Sequence, residues 1–424
     1  MEQSAKKNSI IKKIIALILG FGPGIFAIGY TIGTGSVTSM IVAGSTYGMQ
    51  LTWVLLLSCI FSGVLMFAYG NYALISGETA LYGFKKHIKG GKILAILIII
   101  GITFGQWNSL MGILGISANM LFEILAMNFE GLRPYKYETV LTIAILVLGI
   151  FYSLMLVGKY TFFEKILVIF VTFMGLSFII SLFFVAPLPI EILKGLVPTI
   201  PKVPGGKMMV AAFVGTTMAS ATFLSRPLFV KGKGWTIKNL DQQKKDSITA
   251  AVLVFIISVS VMAVASGALF LQGKPVTQVL DMANTLEPVA GSFAVAIFFF
   301  GTLSAGLSSI FPCLLIAPLL LADYQSGELD TSSRQFRIVT FIACLVALIV
   351  PIFGANPIEM QILSQVFNVF VLPIVVIGII LMVNNKKVMK GYKTSLGVNI
   401  GLFSALFFSC VISYNGVLAL FNYF

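Results

Sequence analysis

Charge is what this chain has least of. Only 10% of its 424 residues are Asp, Glu, Lys or Arg, where a soluble domain carries about 25%. That leaves too little polar surface to cover a water-soluble globule. Histidine is nearly absent as well. The single one, His87, stands among lysines and reads as solvated, which argues against a histidine-based metal or catalytic centre. The four cysteines, Cys59, Cys313, Cys344 and Cys410, lie singly inside apolar runs. They read as small packing residues, not as disulfide partners or a metal set. No nucleophile–base pair and no soluble nucleotide-binding domain are legible, so neither an enzyme nor an ATP-driven pump is expected. Gly33-Thr-Gly-Ser36 has no lysine after it and no strand before it, so it is only a loose likeness of a phosphate loop.

What is abundant is apolar. The chain is 58% hydrophobic, with a mean hydropathy of +1.01. A bilayer is the solvent that tolerates such a composition, and spanning it as helix takes about 20 apolar residues. Eleven such segments are expected: 14–47, 50–75, 92–127, 138–157, 162–186, 207–230, 247–271, 288–322, 336–354, 358–383 and 394–422. The third reads as long enough to break near its end. The fold class is therefore all-α integral membrane, as one continuous domain over 1–424. The basic N-terminus followed by apolar residues from 14 onward reads as a retained first helix rather than a leader.

The net charge of +13 would suggest nucleic acid in a soluble protein. Here the basic residues set topology. With the N-terminus on the cytoplasmic side, 21 of the 28 Lys and Arg fall on that side, among them Lys85, Lys86, Lys244, Lys245, Lys386 and Lys387. Six fall opposite, Arg133 and Lys136 among them, and Arg226 lies within a helix. The C-terminus is then outside, and a bacterial inner membrane is the expected location. Asp323, Glu328 and Asp330 read as loop charges.

Two segments are interrupted. The first carries Gly29-Tyr-Thr-Ile-Gly-Thr-Gly-Ser36 and the sixth Gly215-Thr-Thr-Met-Ala-Ser-Ala-Thr222. Backbone freed at mid-membrane depth is tolerated only beside protein or a water-filled cavity. The breaks stand five segments apart, the pattern of two inverted five-helix repeats with substrate held between the broken helices. The repeats would run over about 14–186 and 207–383, with 394–422 as an added helix. Small residues that merely let helices pack closely are the competing explanation. Arg226, before Pro227, reads either as an anion-binding or gating residue or as a snorkelling one.

Several motifs resemble those of the Nramp family of divalent-metal transporters. They are Gly22-Pro-Gly24, Gly29-Tyr30, Ala43-Gly44 with Trp53, Gly158-x-Tyr160 with Phe163-Glu-Lys165, Lys194-Gly-Leu-Val-Pro198, Ser364-Gln365 with Leu372-Pro373, and Asn384-Asn-Lys-Lys-Val-Met389. The resemblance runs over nearly the whole chain. It implies the LeuT-type architecture, alternating access, and divalent metal as substrate. By this resemblance the metal-binding Asp and Asn of the first helix fall at Gly33 and Ser36, on either side of Thr34 and Gly35. The sixth-helix motif falls at Met218, Ala219, Ser220 and Ala221. It keeps the soft Met218 ligand and lacks the His; a second family His becomes Ser225. The acidic pair associated with proton movement falls at Gln106 and Ser109.

The residues present are neutral oxygen and amide donors: Thr34, Ser36, Ser220, Thr222, Gln106 and Asn368, with Met218 as the one soft ligand. Divalent cations ordinarily take carboxylate, carbonyl and imidazole. Hydroxyls, amides and half-helix ends also suit a neutral or anionic organic solute such as a sugar, amino acid or organic acid. Ala305, Ser308 and Ser309 have the spacing of a sodium site in LeuT-type carriers, or else pack between helices. No cofactor is expected, only Na⁺ or H⁺ as a coupling ion. The partners are then an ion or small-molecule substrate and the lipid bilayer. A non-transporting sensor or a channel is the further alternative.

Overall fold

A computed structural model describes residues 23–157, 160–185, 187–201, 205–273, 276, 281, 287–328 and 332–421. The expected start of the first span at residue 14, Gly22, the lysines before it, Gly158 and Lys159, Lys202, Lys274 and Asp330 lie outside the described residues.

Every secondary-structure element among the described residues is a helix. The first span is a bent pair, α1 (Gly24–Thr31) and α2 (Thr34–Tyr47), turned by 50° at a two-residue break. It is followed by α3 (Thr52–Ser76), the short α4 (Ala80–His87), α5 (Gly91–Asn128), α6 (Lys136–Val157) and α7 (Tyr160–Val185). After the short α8 (Pro189–Lys194), a second broken span is formed by α9 (Gly206–Thr217) and α10 (Ser220–Gly232). Then come α11 (Leu240–Leu269), α12 (Glu287–Gln325), α13 (Arg334–Ala347) with α14 (Ile349–Phe353), α15 (Pro357–Val383) and α16 (Leu396–Phe421). Ten described helices are long and apolar enough to cross a membrane, and the bent pair makes eleven.

Local chemistry places the ends. Gly77 and Gly90 adopt left-handed φ of 79° and 78° on either side of α4, where other side chains are strained. The Asn356 side chain accepts from the Ile358 N–H at 3.0 Å and Pro357 opens α15, a cap and a first-turn proline together. α5 runs unbroken for 38 residues, so the expected break near its end does not occur. Asp323 is not a loop charge. It is fully buried at the end of α12 and accepts the Leu81 and Tyr82 N–H groups at 3.0 and 3.2 Å. A carboxylate at those orphan N–H groups offsets the positive end of α4.

Burial sorts the spans. In the most apolar stretch of the α9–α10 span 94% of residues are buried, against 22% in α16. The broken span is therefore the centre of the bundle and α16 an outer staff. Outward-facing Ile93, Phe104, Phe183 and Phe407 are well exposed, as expected of side chains that meet lipid rather than water. Cys59, Cys313 and Cys344 are buried and Cys410 is exposed; all four are free thiols.

Candidate functional site

The two breaks meet. Ile32 and Gly33 leave helical geometry, with Gly33 extended at ψ −176°. Met218 and Ala219 do the same between α9 and α10. The Thr216 hydroxyl donates to the Thr31 carbonyl at 3.2 Å, tying one break to the other. Ser62 of α3 donates to the freed Thr217 carbonyl at 2.7 Å. At this junction lies a cavity of about 20 Å³, lined by Tyr30, Gly33, Gly35, Ser36, Gln106, Ser109, Ile113, Thr216, Ala219, Ser309, Cys313 and Gln365. That is room for about one water-sized species.

The lining carries no charge. Its polar edge is a chain of amides between α5 and α15. Gln106 donates to Asn368 Oδ1 at 3.0 Å, and Asn368 donates to Gln365 Oε1 at 3.2 Å. Gln365 donates to Ser109 Oγ at 3.2 Å, and Gln361 donates to the Ser109 carbonyl at 2.6 Å. Glycine at 35 lets this chain of amides close over it: a Cβ there would push aside the side-chain ends of Gln365 and Gln361. A Cβ at Gly33 would likewise collide with the Ser309 hydroxyl across the cavity. Around the breaks, Tyr30 Oη and the hydroxyls of Thr34, Thr217, Ser220 and Thr222 are buried without a hydrogen-bond partner. Native proteins leave such groups orphaned rarely, and chiefly where water or a ligand serves them.

The expected site residues divide. Gly33, Gly35, Ser36 and Gln106 line the cavity, and Asn368 supports it through Gln106 and Gln365. Thr34 lies off the lining, toward Gly306 of α12 and Ser117 of α5. Met218, Ser220 and Thr222 are buried at the second break but are not among the lining residues. Next to Gln106, Trp107 packs half-buried against the core and Asn108 donates to the Phe104 carbonyl at 2.7 Å; neither lines the cavity. Ser308 and Ser309 both donate to the Ala305 carbonyl, at 3.0 and 2.7 Å. Only Ser309 also reaches the first break, 3.5 Å from the Gly29 carbonyl. Arg226 is remote from the lining and ion-paired with Asp246. His87 sits on α4, 2.7 Å from Glu78.

Cys313, Thr216 and Gln361 escape the reading of the sequence. Gln361, Gln365 and Asn368 recur at i, i+4 and i+7 in an otherwise apolar helix, a polar stripe that marks one face. Among the described residues no three His, Cys, Asp or Glu side chains gather into a metal-binding group. The donors available are hydroxyls, amide oxygens and the carbonyl ends of α1 and α9. Those helix ends carry partial negative charge and therefore favour a cation.

Residues 24–419 match the family described as natural resistance-associated macrophage protein-like. The chain belongs to the Nramp family. Nramp proteins are membrane transporters, not enzymes. The chain is 24% identical over 421 residues to the divalent metal cation transporter MntH of Erwinia tasmaniensis, covering 92% of this chain and 90% of that one. It is 24% identical to the MntH of Klebsiella pneumoniae over 400 residues, 87% of this chain and 86% of the other. The fold matches that of a mutant Eremococcus coleocola manganese transporter with a TM-score of 0.72 at 14% identity, over 95% of this chain and 86% of that one. It also matches MhsT in complex with L-phenylalanine, TM-score 0.65 at 14% identity, over 95% and 98% of the two chains. The Nramp membership and the LeuT-type fold expected from the motifs are both found.

Proposed function

We propose that this Nramp-family transporter carries a divalent metal cation, by alternating access, through the cavity between its two broken spans. The observation that carries the reading is that cavity: ion-sized, buried at the meeting of the breaks, and lined in part by the oxygens of Ser36, Gln106, Ser109, Thr216 and Ser309. The relatives named as divalent metal cation transporters make that the first substrate class to consider.

The site differs in kind from one built on carboxylates. A bare divalent ion in a neutral, buried wall is costly. The ion is held by hydroxyls, amide oxygens and helix-end carbonyls, and a cavity with room for one water-sized species makes it shed its water to enter. Affinity follows ligand charge, so binding is weak, on the order of 10⁻⁴ M or weaker. Gln106 and Ser109 stand where the family resemblance places the acidic pair, and neither titrates. Proton coupling through those two positions is therefore absent. Ser309, with the Ala305 and Gly29 carbonyls, supports sodium as the coupling ion.

Two inverted five-span repeats, over about 14–186 and about 207–383, would each open with a broken span, with α16 as an addition. The lysine distribution supports a cytoplasmic N-terminus and an outside C-terminus in a bacterial inner membrane. The amide chain from Gln106 to Gln361 favours a second reading, a neutral or anionic organic solute as cargo. Such a solute would require the cavity to widen well beyond its present volume.

Gln106→Glu separates the two. For a metal carrier it adds a carboxylate at the lining, so half-saturation for Mn²⁺ falls about tenfold or more, and transport weakens at low pH. For a carrier of organic solutes the same change gives no gain for Mn²⁺. An unmoved half-saturation removes Gln106 from the ion path.

A further inference from the structure

On the outer face of the bundle, α3, α11 and α16 enclose a groove of about 500 Å³. Its walls are apolar along most of its length, with Leu56, Ile60 and Val64 on α3 facing Ile248, Val252 and Phe255 on α11. Ile60, Ile248 and Val252 are each about half exposed. Lys244 closes one end. There the groove runs into a second recess of about 260 Å³ that shares Phe67, Lys244, Ser395 and Val398 with it. The second recess has an apolar floor that includes Ile75, Val383 and Met389, and Asn71, Asp241, Tyr392, Lys393 and Thr394 add polar side chains to it. The two make one continuous hollow, a greasy slot ending in a charged chamber.

Its dimensions identify the occupant. From Leu56 to Phe67, and from Lys244 to Phe255, the slot follows eleven residues of helix, about 16 Å at 1.5 Å per residue. That is half of a hydrocarbon core about 30 Å thick. That is the depth of one leaflet, so the slot suits a single acyl chain and not a ligand that spans the bilayer. The chamber lies at the leaflet's polar edge, where lysine side chains lay their stems on apolar surface and lift the ammonium to the headgroups. Lys244 and Lys393 line the recess together with Asp241, for one net positive charge, and Lys245, Lys386, Lys387 and Lys390 neighbour them in the chain. Basic pockets between membrane helices hold anionic headgroups.

We propose that this hollow is a binding site for one anionic glycerophospholipid. Its acyl chain lies in the slot between α3 and α11, and its phosphodiester meets Lys244 and Lys393. Asp241 accepts hydroxyls of the headgroup and disfavours groups of higher negative charge, so a singly charged phosphodiester fits better than free phosphate. Gln243, next to Lys244, donates inward to the Met66 carbonyl at 3.0 Å, so α3 and α11 are joined beneath the lipid.

The test uses the purified full chain in neutral detergent, titrated with phosphatidylglycerol or phosphatidylcholine. Native mass spectra and the thermal midpoint are read together. Phosphatidylglycerol is expected to be retained at least tenfold better and to raise the midpoint. Lys244→Gln with Lys393→Gln, both at exposed positions, should bring phosphatidylglycerol down to the phosphatidylcholine level, with the midpoint in phosphatidylcholine unchanged. Val252→Phe fills the slot and should weaken both lipids alike. Equal retention of the two lipids by the unaltered chain overturns the proposal, as does a preference that survives loss of both lysines. Stabilisation by glycerol phosphate alone, equal to that by the lipid, overturns the slot.

Discussion

Arg226 and Asp246 form an ion pair of 2.6 Å in which neither side chain meets solvent, the two being 1% and 5% exposed. Asp246 also accepts the Gly24 N–H at 2.9 Å, at the start of α1. Gln243 accepts from Arg226 at 2.7 Å. One cluster thus fastens α1, α3, α10 and α11 together. Removing one partner of such a pair leaves a buried charge uncompensated, at a cost of about 3–5 kcal/mol. Asp246→Ala should lower the thermal midpoint sharply, while Arg226→Met with Asp246→Leu recovers most of it. A single variant as stable as the parent would mean the pair holds nothing together.

Gly35→Ala tests the amide chain. The added methyl meets the ends of Gln361 and Gln365, so those amides must leave Ser109. Overpacking of this kind costs about 1–3 kcal/mol, which the fold survives. Transport should fall about tenfold with the protein still monodisperse. Normal transport by a folded Gly35→Ala protein would detach the amide chain from function.

Ser309→Ala tests coupling. The hydroxyl lies between the Ala305 and Gly29 carbonyls. If sodium is bound there, any gain in apparent substrate affinity from Na⁺ disappears in this variant and largely persists in Ser308→Ala, whose hydroxyl bonds only within its own helix. Equal sodium responses in Ser309→Ala and the parent would exclude the site.

Met218→Leu tests the soft ligand. The swap nearly conserves volume and costs less than about 1.5 kcal/mol. Because Met218 is not among the lining residues, the ratio of Cd²⁺ to Mn²⁺ transport should stay within about twofold. A larger fall in Cd²⁺ would put the thioether on the ion.

The spans were legible because each is a run of about 20 apolar residues, a signal that needs no partner. Gly33 and Met218–Ala219 were legible too, since glycine and hydroxyl residues weaken a helix locally. α4 was not. Its eight residues are held by Asp323, more than 240 positions away, and no local pattern announces such a contact. The same holds for Arg226: the expected helix begins at 247, one residue past the Asp246 that neutralises it. At the cavity, Gln106 and Ser36 follow from the family resemblance. Thr216 and Cys313 line it only because α9 and α12 converge there, which is a property of the packing.

Influx of Mn²⁺ into proteoliposomes, followed by quenching of a trapped dye with the Erwinia tasmaniensis MntH alongside, tests the central claim most directly. Saturable entry is expected, with half-saturation on the order of 10⁻⁴ M or weaker and little change between pH 6 and pH 8. No entry above protein-free vesicles, with the MntH control active, would contradict a metal-carrying cavity made of uncharged donors.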